Sequence, residues 1–155
     1  VAMMGDPDVA RYLTPDGKPQ DRASAWRGFA MVLGHQHIRG FNFFSVIEKK
    51  TGEFVGRVGP WMPEGWPALE TGWGIARPHW GKGYAPEAAV AAMGWTFARF
   101  PELDRIISLI DPRNANSQAV ARKVGEANTG ETFRLWELTL DIWAVSRADW
   151  MKRFG

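Results

Sequence analysis

Gly72-Trp73-Gly74-Ile75-Ala76-Arg77-Pro78-His79-Trp80-Gly81-Lys82-Gly83-Tyr84-Ala85, followed by an alanine-rich run that opens with Pro86-Glu87 and continues to Ala98, decides the reading of this chain. Gly72 to Ala76 is a short apolar run that stops at Arg77-Pro78. A glycine-rich turn over residues 80–85 follows, and then a long helix with Pro86 in its first turn. Strand, glycine turn and helix N-terminus in that order make a place where an anion can sit. Glycines let the backbone approach closely, and the first-turn N–H groups of a helix have no intrahelical partner.

Downstream, the helix predicted over 86–100 is apolar nearly all round, with only Glu87, Thr96 and Arg99 polar. That pattern belongs to a helix packed on a sheet and covered on another side. Arg105 to Ile110 is a β-branched run suited to a buried strand, parallel to the 69–76 strand because a helix links them. Asp111 to Ser117 reads as a turn into a short helix over 117–124, stopped at Gly125. Residues 130–135 and 137–145 suggest a terminal hairpin. Ser146-x-x-Asp149 is a capping box opening a last helix that carries Trp150.

Upstream, 41–48 and 53–58 read as strands joined by the turn Lys49-Lys50-Thr51-Gly52. Residues 59–68 hold Pro60, Pro63 and Pro67 and are not expected in a central strand. Asp6-Pro7-Asp8 starts a short helix through Tyr12, Pro15 to Gln20 is a loop, and a helix runs over 22–33. The fold class is α/β (α+β mixed): a sheet part antiparallel and part parallel, flanked by helices, in one domain spanning 1–155.

At 155 residues with 45% hydrophobic and 23% charged content, the chain can bury a substantial core. A net charge of +2 with scattered Lys and Arg argues against a specific nucleic-acid surface. Without Cys there is no disulfide, thiol nucleophile or thiolate metal site, and His35, His37 and His79 lack metal-ligand spacing, so no metal is expected. No apolar run reaches the roughly 20 residues that span a bilayer, and no signal peptide is apparent, so no membrane partner is expected and cytoplasmic is the default location. Nine Trp and nine Phe suggest an aromatic core, an aromatic-walled pocket, or both.

The glycine turn fails two phosphate-loop patterns. Gly81-Lys82 is followed by Gly83 rather than Ser or Thr, and the third glycine position of a dinucleotide fingerprint is Pro86. The stretch instead resembles the acetyl-CoA-binding motif of the GNAT superfamily of N-acetyltransferases, Q/R-x-x-G-x-G/A. Gly83-Tyr84-Ala85 match its second half, and Trp80 stands where Gln or Arg is usual. Trp followed by G-K-G-Y-A is similar to the branch that includes ribosomal-protein N-terminal acetyltransferases. Asn114-x-x-Ser117 leading to Lys123-Val124-Gly125, and the closing Ser146-Arg147-Ala148-Asp149-Trp150, resemble two further segments of that branch in the same order. Three departures stand out: the strand that usually opens the fold is not evident, Glu126 replaces the usual aromatic residue after Gly125, and no Tyr follows the second motif.

The resemblance implies a GNAT-like twisted sheet whose two central parallel strands splay apart. It also implies that backbone amides of Gly81, Lys82, Gly83, Tyr84 and Ala85 hold the pyrophosphate of acetyl-CoA. The backbone of Ile75, Ala76 and Arg77 would line the pantetheine arm, and Asn114 and Ser117 would lie beside the thioester. Arg122 and Lys123 are read as solvated helix charges. The implied activity is direct acetyl transfer to a primary amine, a small molecule or a protein N-terminus; the alternative is a catalytically silent CoA-binding regulator. Assembly as a homodimer stays open. A lysine-like amine of pKa ~10.4 is only about one part in 2,500 neutral at pH 7, and an α-amine of pKa ~8 roughly a tenth, so a carboxylate base helps. Glu70 is the candidate base, or else it caps or pairs at the strand start. Ser117 is the candidate acid toward the leaving thiolate, or else it caps its helix. A backbone N–H near Ile75 would polarise the acyl oxygen. Trp61, Trp66 and Trp73 either wall a substrate cleft or pack in the core.

Overall fold

The computed structural model describes residues 1–155. The chain runs α1 (Ala2–Gly5), α2 (Pro7–Leu13), α3 (Arg22–Arg39), β1 (Phe44–Ile47), β2 (Phe54–Trp61), β3 (Glu70–Ile75), a 3-10 turn (Arg77–His79), α4 (Tyr84–Arg99), β4 (Arg105–Ile110), α5 (Ala115–Lys123), β5 (Ala127–Leu135), β6 (Leu138–Ser146) and α6 (Arg147–Phe154). The strands form one six-stranded sheet in the order β1-β2-β3-β4-β6-β5. Only β3 and β4 run parallel, as expected for strands joined through a helix.

That parallel pair is barely a pair. Glu70 opposite Ile107 is the single register match between β3 and β4, reinforced by Ile107 N–H donating to Leu69 O at 3.1 Å. By contrast, β3 pairs with β2 along all six of its residues, from Gly56–Ile75 to Trp61–Glu70, and β4 pairs with β6 from Arg105–Ser146 to Ile110–Asp141. The two central strands therefore touch at their N-terminal ends and splay toward Ile75 and Ile110. The sheet opens at the carboxyl ends of its parallel strands, where α/β sheets commonly take ligands.

Helix α4 covers one face. Ala89, Ala92, Met93 and Phe97 pack with Val58, Ile75, Ile106, Val145 and Trp150 into the main core. The small residues of α4 set its distance from its neighbours: a Cβ on Gly94 would lie 3.2 Å from the Trp150 ring. Ser146 caps α6 by accepting from Asp149 N–H, as the capping box predicts. No helix is long and apolar enough to cross a membrane.

Several boundaries differ from expectation, each for a local reason. α3 continues through Arg39, because its stop is Gly40 at φ 80°. β1 is shorter than the predicted strand. β2 extends through Gly59-Pro60-Trp61, which the prolines were expected to exclude. Since β1 begins only at Phe44, opposite Val58, residues 59–61 are paired on the β3 side alone and behave as an edge, where Pro is tolerated. α4 begins at Tyr84, two residues before Pro86, whose missing N–H falls in the first turn. β5 begins at Ala127, with an irregularity between Asn128 and Thr132.

Candidate active site

Gly83 is the N-cap of α4 at φ 87°, with no side-chain cap, and Gly81 has φ 76°. A Cβ at either glycine would meet nothing within 4 Å, so the glycines answer a backbone demand while the space above them stays open. The first N–H donor of the helix ladder to find a partner is Glu87, to Gly83 O at 3.2 Å. An uncapped helix start with the helix dipole behind it has the form of an anion cradle. Trp80, where Gln or Arg is usual, donates its indole N–H to Ile75 O at 2.6 Å and pins the loop to the end of β3. Tyr84 donates a short hydrogen bond to Glu48, whose carboxyl is held below its usual range by the Thr51 hydroxyl and then by Tyr84.

From the cradle, a cavity of about 470 Å³ runs along the splay past Ile75, Tyr84 and Ala85 to Asn114 and Ser117. The expected cofactor residues Ile75, Gly81, Gly83, Tyr84, Ala85, Asn114 and Ser117 all line it. Three others do not. Ala76 N–H donates to Val55 O at 2.8 Å, Arg77 pairs with Asp6 and Asp8 at 3.2 and 3.4 Å, and Lys82 is exposed outside it. Lys123, read as a solvated charge, borders the cavity, whereas Arg122 lies over the Trp143 ring. An uncapped helix start leading into an elongated cleft between two strand ends fits a phosphate-bearing, chain-like molecule.

A second cavity of about 330 Å³ lies beyond, between β2, β3, β4 and the β5–β6 turn. Glu70, Arg57, Trp61, Trp66 and Trp73 line it, so all three tryptophans face the cleft. Trp61 is also buried, stacked on His35 at 4.2 Å and on Phe43 at 5.1 Å. Trp66 donates to Glu70 Oε2 at 2.5 Å. Burial pushes the Glu70 carboxyl up to about 7, with the Trp66 hydrogen bond, a backbone hydrogen bond at Leu109 and the charge of Arg57 pulling the other way. The two cavities share Tyr12, Leu13, Trp73, Asn114 and Ser117 on their walls.

Ser117 is not a helix cap. Asn114 is the N-cap of α5 and accepts from Ser117 N–H at 3.1 Å, leaving the Ser117 hydroxyl to accept from Trp73 Nε1 at 3.2 Å. Tyr12 comes from α2, more than a hundred positions away, and donates to Arg113 O at 3.4 Å. Nothing local marks Tyr12 or Arg57 as site residues.

Glu126 did leave a trace, as the residue standing in place of an aromatic side chain. It is 3% exposed, and burial raises its carboxyl well above the usual range, with Glu70 adding to the shift and Ser108 opposing it. Ser108 Oγ lies 2.8 Å from Thr71 O and 2.9 Å from Glu126 Oε1, two acceptors for one hydroxyl proton. Ser108 can donate to only one of them at a time, and Glu126 Oε2 has no partner, so burial favours the neutral carboxyl. A carboxyl whose folded pKa is raised contributes stability that is lost as pH rises from about 4.5 upward, at up to about 1.4 kcal/mol per pH unit. Glu126→Gln should therefore melt close to the parent at pH 5 and progressively above it toward pH 8. Parallel melting curves across that range would refute the buried acid.

The sequence model of the acetyltransferase (GNAT) domain family matches residues 1–126. The chain is 32% identical over 143 residues to the uncharacterised protein YkkB of Bacillus subtilis (strain 168), covering 91% of this chain and 80% of that one. It is similar to the crystal structure of an acetyltransferase from Agrobacterium tumefaciens str. C58, with 30% identity, TM-score 0.78, and 92% and 80% of the two chains covered. Spermidine N-acetyltransferase from Vibrio cholerae, solved with CoA and spermine, shares the fold at TM-score 0.72 with 17% identity, over 96% of this chain and 88% of that one.

Proposed function

The chain belongs to the GNAT acetyltransferase family, and from that premise we propose that it passes the acetyl group of acetyl-CoA directly to a primary amine, of a small molecule or a protein N-terminus, bound in the second cavity. One observation carries the reading: an anion-cradling cleft and a carboxylate-bearing aromatic cavity meet at Ser117.

The uncapped amides from Gly83 to Ala85 would hold the phosphates, with Gly81 leaving room for them. Acetyl-CoA supplies the acyl group already activated as a thioester. Glu70, with a pKa of about 7, is poised near neutrality to take the proton of the incoming ammonium. The C–N bond forms as the C–S bond breaks; the nitrogen then sheds its second proton, and the departing sulfur gains one, through a hydroxyl that gives its own proton to sulfur as it takes the nitrogen's. Ser117 is the better donor of the two hydroxyls at the junction. Its oxygen accepts from Trp73 and its own proton is uncommitted, whereas the Tyr12 proton goes to Arg113 O.

Ser117→Ala should lower kcat about 10²-fold with acetyl-CoA affinity retained. Tyr12→Phe should cost about threefold or less. Full turnover by Ser117→Ala, read as free CoA released, would remove Ser117 from the chemistry.

The function itself is tested in two measurements. Acetyl-CoA at 100 times its Kd should stabilise the protein by ~2.7 kcal/mol. A panel of amines, aminoglycosides, polyamines and N-terminal peptides should then yield acetylated product and free CoA. Stabilisation without acetylation of any amine would point to a silent CoA-binding regulator instead. A cytoplasmic place of action belongs to the same proposal.

A further inference from the structure

The second cavity holds a cation that the acetyl-transfer reading leaves unused. Arg57 is half-buried on β2, and its guanidinium lies 4.5 Å from the centre of the Phe43 ring. It makes no side-chain hydrogen bond and no ion pair within 4.0 Å. A guanidinium carries five N–H donors in a fixed fork, and burying it without acceptors is costly. The cavity also holds two carboxyl groups. Asp111 accepts from Arg113 at 2.6 and 2.9 Å, and Glu70 Oε2 accepts from Trp66.

Register places Arg57 and Glu70 on one face of the sheet. Arg57 stands opposite Gly74, Trp61 stands opposite Glu70, and between these pairs lies Gly59 opposite Gly72. That central pair has no side chains, and the Phe43 ring lies on it, so the floor between guanidinium and carboxylate is a flat aromatic face. A Cβ on Gly72 would sit 2.9 Å from the Phe43 ring and 3.4 Å from Glu70 Oε1. The walls are apolar: Phe43, Trp61, Trp66, Trp136 and Leu140.

We infer that the acceptor is an amphoteric amine, an apolar body bearing both the reacting amine and an oxyanion, with Arg57 taking the oxyanion while Glu70 takes the ammonium. This deepens the acetyl-transfer proposal and rests on it. Each charge of such a molecule meets its opposite at the two ends of the Phe43 face, whereas a polyamine would bring a second positive charge against Arg57. Planar recognition of an oxyanion by two parallel N–H bonds suits Arg in particular.

The test uses pairs of amines that differ only in the oxyanion: L-phenylalanine with phenethylamine, and L-leucine with isopentylamine. The phosphonate analogue of leucine separates a carboxylate from a phosphonate ligand. Values of kcat/KM, corrected for the neutral-amine fraction, should favour the oxyanion-bearing member of each pair by about tenfold or more. In Arg57→Gln that ratio should collapse toward one, and because it compares substrates on one protein it cancels any effect of the substitution on Glu70 or on folding. A ratio near one in the parent, a ratio unchanged in Arg57→Gln, or spermidine outperforming both amphoteric amines overturns the inference while leaving acetyl transfer standing. No turnover of any amine, with acetyl-CoA still stabilising the protein, overturns both.

Discussion

Gly83→Glu should abolish acetyl-CoA binding while leaving a folded protein. A side chain at φ 87° carries a backbone strain of about 1–2 kcal/mol, which a domain of this size survives. Nothing lies within 4 Å of the new Cβ, so no packing is lost. The carboxylate, however, would stand at the uncapped start of α4, the spot where a phosphate would be received, and helix N-termini stabilise one anion there at the expense of another. A drop in affinity of at least about a hundredfold is expected from lost amide contacts and like-charge repulsion together. Calorimetric titration with acetyl-CoA reads it directly. Circular dichroism of the same sample separates lost binding from lost fold. Near-normal affinity in a folded Gly83→Glu protein would sink the cradle assignment and with it the functional proposal.

Glu70→Gln should show the second large effect, on rate rather than binding. Removal of a positioned general base costs about 10²- to 10⁴-fold, and acetyl-CoA affinity should be unchanged because Glu70 lines only the second cavity. The pH profile carries the more specific signature. With the carboxyl pushed up to about 7, the basic form disappears as pH falls through that value. The parent kcat/KM, corrected for neutral amine, should then fall tenfold per unit below about pH 6 and level off above about pH 8. The variant should lose that limb. Stability moves the opposite way: a raised carboxyl stabilises the fold least above its folded pKa, so Glu70→Gln should melt above the parent at pH 8. A Glu70→Gln protein with undiminished rate would return Glu70 to the role of a strand-end side chain bonded to Trp66.

What could be read from the sequence was what the chain decides locally. The glycine turn, the α4 pattern and the β-branched run of β4 each carry their own signal, and β4 matches its predicted limits residue for residue. Failures came where a distant partner decides. Whether Pro60 fits a strand depends on where β1 starts, which nothing near Pro60 reveals. Asn114 and Ser117 both had the chemistry to cap α5, and only the backbone path shows that Asn114 does so and frees Ser117. The cradle, contained within a few consecutive residues, was legible. The acceptor side was legible only in part: Glu70, Ser117 and the three tryptophans were named, whereas Tyr12 and Arg57 were not, because they come from separate elements that only the fold brings together. Glu126 was visible as an anomaly, but its meaning required the burial that Ser108 and Thr71 impose.

The splay of β3 from β4 has a bearing on how this chain behaves toward other chains. Unpaired strand edges on the outside of a sheet are templates on which further strands, including those of aggregating neighbours, can add. Here the edges of residues 72–74 and 109–110, which do not pair with each other, lie in the middle of the sheet, with β2 and β6 already paired on their far sides and α4 packed across one face. A second protein strand cannot reach that gap, but a slender extended molecule entering from the open end can. The fold thus keeps a strand-pairing surface in service while shielding it from the partners that make such surfaces hazardous.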